Sequence, residues 1–304
     1  MSHIYVYSPS GAVRDKEAFR RGVKRLRALG HEVEVDHDAL RSHMRFAGDD
    51  AARIAAVGRA AASRADIALI SRGGYGLTRL LSHLPYKELM SAVQHGTRFV
   101  GHSDFTALQA AVYAQTKGVT WTGPALGEDF GSEDEPNEIM QACFDDLVHA
   151  RSEGIGWRIL RRHWVGGEHQ DLGGGTRGVL WGGNLAVLVA LLGTPYFPKV
   201  RNGILFLEDV AEYPWRIERM LTQLLHAGVL HQQKAILLGS FSGYRATAHD
   251  RGFKLRTVVT WLQEQIRAPI IEGLPFGHVP KKVVLPYGAK VILMRQDQEF
   301  MLLW

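Results

Sequence analysis

The chain has 304 residues, 46% of them hydrophobic, a formal net charge of +5 and one cysteine, Cys143. That length suits one large domain or two medium ones with a sizeable core, and a single cysteine rules out an internal disulfide and argues against cysteine-based zinc sites. Its Lys and Arg residues are scattered with no aromatic-interleaved basic stripe, which speaks against nucleic acid and for small anionic substrates.

The first apolar run, residues 4–7, ends at Ser8-Pro9 and has no basic leader before it, so it reads as a strand and not as a signal peptide. Residues 15–29 follow with Phe19, Val23, Leu26 and Leu29 at helical spacing and Gly30 as a stop. A strand over 32–35, an alanine-rich helix over 50–64 and an apolar strand over 67–71 come next. The last of these runs into Arg72-Gly73-Gly74-Tyr75-Gly76. A helix over 86–94 and a strand over 99–101 complete a series of β-α units. Short turns between such units predict a mostly parallel, Rossmann-like sheet with helices on both faces. Sites in such sheets lie outside the carboxyl ends of the strands. No stretch approaches the length that spans a membrane, and a cytoplasmic protein is the expectation.

After an acidic loop over 127–136, a helix is expected over 137–149 and a glycine-rich connection over 151–175. The predicted domains are therefore 1–150 and 176–304, joined by that linker. In the second, residues 185–192, 215–225 and 256–265 read as helices. Residues 203–208 and 235–239 read as strands, with closing strands over 283–285, 290–294 and 299–303.

Two loops stand at strand ends in the first half. In Gly101-His102-Ser103-Asp104-Phe105 a serine sits between a strand and a strongly helical run, 106–116. Such a turn exposes a hydroxyl beside free helix N–H groups, as in the G-x-S-x-G elbow of hydrolases, although Phe105 stands where that pattern has Gly. The same residues also suit a helix cap supplied by Ser103 or Asp104. The glycine-rich turn 72–76 fits neither a P-loop nor G-x-G-x-x-G. It can approach an anion, supply an N–H to an oxyanion hole, or be only a tight turn.

Fourteen histidines compete as general base. None has metal-ligand spacing of the H-E-x-x-H kind. His102 adjoins Ser103 and, on a strand, points to the opposite face. His278 lies in Phe276-Gly277-His278-Val279-Pro280, where Gly and Pro hold the backbone in a turn. Glu208 ends an apolar strand and can orient an imidazole or cap the next turn. Asp209, Glu212 and Glu218 are its rivals.

Six segments, in order, resemble the serine LD-carboxypeptidase family. They are Ser71-Arg72-Gly73-Gly74-Tyr75-Gly76, Gly101 to Thr106, Thr122-Gly123-Pro124, Gly182-Gly183-Asn184-Leu185, Leu207 to Glu212, and Gly277-His278-Val279. The family often has Tyr where this chain has His102. The resemblance implies Ser103 as nucleophile, His278 as general base and Glu208 as the group orienting it. The oxyanion hole would come from the N–H groups of Asp104 and the Gly73-Gly74 turn. The acid and base would lie in a smaller, β-rich α/β C-terminal domain, with the active site in the interdomain cleft. Arg72, Tyr75, Asn184 and Arg216 are the candidate substrate contacts, Arg72 and Arg216 as clamps for a terminal carboxylate.

The implied reaction releases D-alanine from the murein tetrapeptide L-Ala–γ-D-Glu–meso-diaminopimelate–D-Ala. No cofactor or metal is implied, and the protein would be a homodimer without nucleic-acid or membrane partners. A microcin C-type immunity carboxypeptidase acting on a peptidyl-nucleotide is the nearer alternative. A non-catalytic nucleotide- or sugar-binding protein is the more distant one.

Overall fold

A computed structural model describes residues 1–158, 164–165 and 175–304. The chain forms two compact units. One comprises Met1–Ser152, Gly193–Pro198 and Pro280–Tyr287, and the other comprises Glu153–Leu192, Lys199–Val279 and Gly288–Trp304.

The first unit is built on β1 (His3–Tyr7), β2 (Glu32–Val35), β3 (Ile67–Ile70), β4 (Arg98–Gly101) and β5 (Thr120–Thr122). These five are parallel, in the order β2-β1-β3-β4-β5. β1 and β3 are buried almost throughout, as expected of parallel strands covered on both faces. Strand order reverses between β1 and β3, so the loops leaving those two strands flank the crevice where such sheets bind ligands.

Helix α1 (Lys16–Ala28) starts where the Asp15 carboxylate accepts the N–H groups of Glu17 and Ala18 at 2.9 and 2.8 Å, a cap worth about 1 kcal/mol. Its Phe19, Val23 and Leu26, spaced three and four apart, share a core with Met140, Phe144 and Leu147 of α5 (Glu138–Val148). Helices α2 (Asp50–Ala62), α3 (Tyr86–Gln94) and α4 (Thr106–Thr116) pack in succession against one another. Asp49 and Asn137 cap α2 and α5 through side-chain oxygens.

A strand from late in the chain closes this sheet. β12 (Leu285–Tyr287) pairs antiparallel with β5, Leu285 opposite Thr122. The sequence reading had expected residues 283–285 among the closing strands of the second domain. Their apolar side chains suit either sheet, and Val284 packs into the α1–α5 core.

The second unit carries an eight-stranded sheet, in the order β6-β14-β13-β8-β9-β10-β11-β7. Its strands are β6 (Gly154–Arg158), β7 (Trp164–Val165), β8 (Thr176–Asn184), β9 (Gly203–Val210), β10 (Gln233–Ser242), β11 (Ile270–Glu272), β13 (Lys290–Gln296) and β14 (Glu299–Leu303). β8 to β11 are parallel and are joined by α6 (Leu185–Ala190), α7 (Pro214–His226) and α8 (Leu255–Gln265). β13, β14 and β6 extend the sheet antiparallel. The expected linker over 151–175 therefore contains two strands, β6 and β7. Alternation of Ile155 and Trp157 with glycine and arginine is strand periodicity that the glycines obscured. The rest of that expected linker, 159–163 and 166–174, lies outside the described residues. Among the described residues, no helix is long and apolar enough to cross a membrane.

Candidate active site

Ser103 follows β4 and has φ of +65°. A left-handed backbone is unfavourable for a residue bearing a Cβ and persists only where surroundings enforce it. The turn then runs into α4, whose start has no side-chain cap. Capping by Ser103 or Asp104, left open from sequence, is not the arrangement adopted. The Asp104 carboxylate is buried and accepts hydrogen bonds from the Ser10 hydroxyl and, at 2.9 Å, from the Leu77 N–H. Burial pushes this carboxyl above its ordinary pKa, while these hydrogen bonds oppose the shift. Asp104 thus ties the serine turn to the loops following β1 and β3.

The glycine-rich turn lies directly against the serine. A Cβ built on Gly73 would sit 2.5 Å from Ser103 Cβ and 2.7 Å from its Oγ. Gly74 has φ of +116°, and Gly11 donates its N–H to Gly73 O at 3.2 Å. Arg53, fully buried, holds the far end of the turn by donating to Gly76 O at 2.9 Å and pairing with Asp50 at 2.5 Å. The glycine turn and the start of the helical segment after Ser103 therefore both lie beside one hydroxyl.

His102 is 1% exposed. Its Nδ1 lies 2.9 Å from Gly123 O, a carbonyl that can only accept, so Nδ1 carries the proton. Its Nε2 faces Lys282 Nζ at 3.5 Å and Glu128 Oε2 at 3.4 Å. Lys282, 2% exposed, pairs with Asp129 at 2.8 Å, and Asp129 also accepts the Ala125 N–H. Glu128 and Asp129 lie on a single π-helical turn, Leu126–Phe130, a local irregularity often found at functional sites. The sequence marked this stretch only as an acidic loop and assigned Lys282 no role. A contact between positions 102 and 282 has no local signature.

In the second unit, β8 and β9 bring Asn184 and Glu208 into register at their carboxyl ends. Glu208 is fully buried and its Oε2 accepts from His278 Nδ1 at 2.8 Å. A carboxylate can only accept, so Nδ1 holds the proton and the neutral ring presents Nε2 as acceptor. Asn184 Nδ2 donates to Glu208 Oε1 at 3.2 Å and to Asp209 Oδ1 at 3.0 Å, while its Oδ1 accepts the Val187 N–H. Asn184 therefore orients the carboxylates as well as capping α6. Asp209 is pushed up to about 6, chiefly by burial, with the neighbouring Glu208 charge adding to the shift.

A bulge in β10 makes room for the histidine loop: Leu238 pairs with Leu207 and Phe241 with Asp209, three residues spanning two. The loop docks there through Ser240 N–H to Phe276 O at 2.7 Å. At Gly277, with φ of +136°, a Cβ would meet Ser240 O at 3.0 Å and Glu208 Oε2 at 3.3 Å. Only glycine fits before His278.

The remaining candidates differ in setting. Arg72 is mostly buried, donates to Ala12 O at 3.0 Å and faces Glu128 at 3.9 Å. Tyr75 is exposed, with the Arg45 guanidinium 5.5 Å from its ring centre. Arg216 is half-exposed and forms a fork with Glu212 one turn away, an exposed pair of small energetic value.

Comparison with known proteins gives a consistent result. The LD-carboxypeptidase N-terminal domain matches residues 4–123 and the C-terminal domain matches residues 177–293. The crystal structure of muramoyltetrapeptide carboxypeptidase from Oxalobacter formigenes superposes with a TM-score of 0.86 at 35% identity, covering 99% of this chain and 98% of that one. The murein tetrapeptide carboxypeptidase of Pseudomonas aeruginosa is 31% identical over 73% of this chain and 70% of its own length. The microcin C7 self-immunity protein of Escherichia coli is 27% identical over 70% of this chain and 67% of its own.

Proposed function

The chain belongs to the LD-carboxypeptidase family, a family of serine carboxypeptidases, and on that premise we propose that it releases the terminal D-alanine from murein tetrapeptides. Ser103 Oγ attacks the carbonyl of the L-configured centre of diaminopimelate while His278 Nε2 takes the hydroxyl proton. Glu208 stabilises the imidazolium from behind. The N–H groups of Asp104 and of the Gly73-Gly74 turn receive the negative charge on the carbonyl oxygen. His278 then gives the proton to the D-alanine amine as the C–N bond breaks. Water, activated by the same imidazole, hydrolyses the acyl-enzyme. The reading requires His278 Nε2 to reach Ser103 Oγ in the reacting complex.

The observation that carries the proposal is the left-handed Ser103 backed by Gly73, a strained serine set against a glycine turn. The similarity to murein tetrapeptide carboxypeptidases supports the substrate, as does the net charge of +5 for a peptide with several carboxylates. The same reading includes a role in cytoplasmic peptidoglycan recycling and a homodimer, which sedimentation equilibrium tests. Incubation with the tetrapeptide, followed by mass spectrometry, should show loss of one alanine, with the D-Ala–D-Ala pentapeptide left largely intact. Equal cleavage of both peptides, or exclusive cleavage of a peptidyl-nucleotide, would overturn it.

A further inference from the structure

The turn set against Ser103 has little of its own to hold it. Glycine occupies positions 73, 74 and 76, and Tyr75, the one side chain among them, is exposed. Gly74 and Gly76 have φ of +116° and +140°. So glycine-rich a segment has many accessible backbone states, and its place depends on the hydrogen bonds at its two ends. At the start, Gly73 O accepts the Gly11 N–H at 3.2 Å. At the end, two buried charged side chains take hold of a single peptide group.

That peptide joins Gly76 to Leu77. Its carbonyl oxygen accepts from Arg53 Nη1 at 2.9 Å, and its N–H donates to Asp104 Oδ2 at 2.9 Å. Arg53 is 0% exposed and Asp104 2%. A guanidinium only donates and a carboxylate only accepts, so a flipped peptide would set N–H against the cation and carbonyl against the anion, with every polar atom left unsatisfied. Arg53 is fixed from α2, where it pairs with Asp50 at 2.5 Å and lies 4.6 Å from the Phe46 ring centre. A Cβ on Gly76 would meet Arg53 Nη1 at 2.5 Å, so this approach needs glycine there. Arg53 Nε is buried and has no hydrogen-bond partner among the described residues. A buried cation with one donor unpaired costs stability, which points to a role other than stabilising the core.

We propose that Arg53 and the Asp104 carboxylate are positioning residues, which grip the two polar atoms of the Gly76–Leu77 peptide and so hold the glycine turn in place against Ser103. Asp104 directly follows Ser103, so the same grip couples the serine turn to the glycine turn, and neither shifts without the other. The inference rests on the carboxypeptidase reading and deepens it by naming what keeps the nucleophile and the turn beside it in register.

The test follows two reactions of Ser103: turnover of the murein tetrapeptide, and labelling by a fluorophosphonate, which a nucleophilic serine attacks at phosphorus with loss of fluoride. Arg53→Met should lower kcat by about ten- to hundredfold with KM nearly unchanged, the scale of a small misplacement of reacting groups. Arg53→Lys, which restores the cation and a donor, should recover most of that loss. The rate of labelling at Ser103, read by mass spectrometry, should follow the same order. In a Gly73→Ala background, where the turn is already displaced, adding Arg53→Met should cost far less than it does alone. Effects that simply multiply, or a loss that Arg53→Lys does not recover, would overturn the proposal. If Arg53→Met does not fold, Asp104→Asn, which keeps the side-chain shape without the charge, takes its place in the same cycle. A fall in kcat that vanishes beside Gly73→Ala supports the grip, and an unchanged kcat or a multiplying effect overturns it. If the tetrapeptide is not cleaved but labelling follows the expected order, the murein reading fails and the grip stands. If labelling occurs and ignores Arg53 and Asp104, the grip alone fails. If Ser103 reacts with neither, both fail.

Discussion

A Cβ placed on Gly73 would lie 2.5 Å from Ser103 Cβ, so the two residues can meet only because one has no side chain. Gly73→Ala must displace either the serine or the turn packed against it. We expect turnover to fall by about 10²- to 10³-fold, the usual cost of misplacing an oxyanion donor, with circular dichroism unchanged. Retention of more than a tenth of the activity would separate this turn from the chemistry.

The φ of +65° at Ser103 predicts a trade between stability and activity. Ser103→Ala should lower turnover by several orders of magnitude, as removal of a triad nucleophile does. Ser103→Gly should be equally inactive yet more stable than Ser103→Ala, by about 1 kcal/mol, because glycine tolerates this backbone. Denaturant midpoints of the two variants decide the point; an alanine variant as stable as the glycine one would show that the turn stores no strain.

The 2.8 Å contact of Glu208 with His278 Nδ1 fixes which ring nitrogen can act as base. Only neutral imidazole can accept the serine proton, so activity should rise with pH across the range in which histidines ordinarily lose their proton, about pH 5 to 8. Glu208→Gln should cut turnover by about 10²-fold or more, through loss of tautomer control. A rate that is flat across that range would exclude an imidazole base.

Asp209 makes stability pH-dependent in a direction opposite to that of a salt-bridged carboxylate. Its pKa is raised from 3.8 to about 6, so between those values the folded protein binds more protons than the unfolded chain. Stability from this group is therefore full below about pH 4 and declines as pH rises to 6, by about 3 kcal/mol in all. Asp209→Asn should remove that component from the pH profile of urea unfolding, whatever constant offset the lost acceptor adds. An unchanged difference between pH 4 and pH 6 would show that Asp209 does not carry it.

Activity should survive exhaustive chelation. Among the described residues no group of three or more His, Cys, Asp and Glu side chains is arranged to hold a metal ion. Loss of turnover under chelator with recovery on adding zinc would replace the serine mechanism by a metal-assisted one.

Much of the architecture was legible because it is written in local periodicity. The strand-to-helix pattern from His3 to Thr116 follows from alternation of period-2 and period-3.6 apolar runs with capping residues such as Asp15. Ser103 and Glu208 could be singled out because each lies in a short motif at a strand end, and His278 because Gly277 and Pro280 hold it in a turn. Other features could not be read this way. β6 was hidden by its glycines. The short apolar run around Val284 is compatible with either sheet, and only packing sent it to β5.

Sequence alone therefore determined the class of fold, the family and the residue types available for acyl transfer, since these depend on interactions among near neighbours in the chain. Tertiary structure decided what each residue faces. It set Gly73 against Ser103, Asn184 behind Glu208, Lys282 beside His102 and Glu128 before Arg72. Each is a contact between segments separated by tens of residues or more. Their pairing depends on strand order, register and the shape of the packed core, none of which has a local pattern from which to read it.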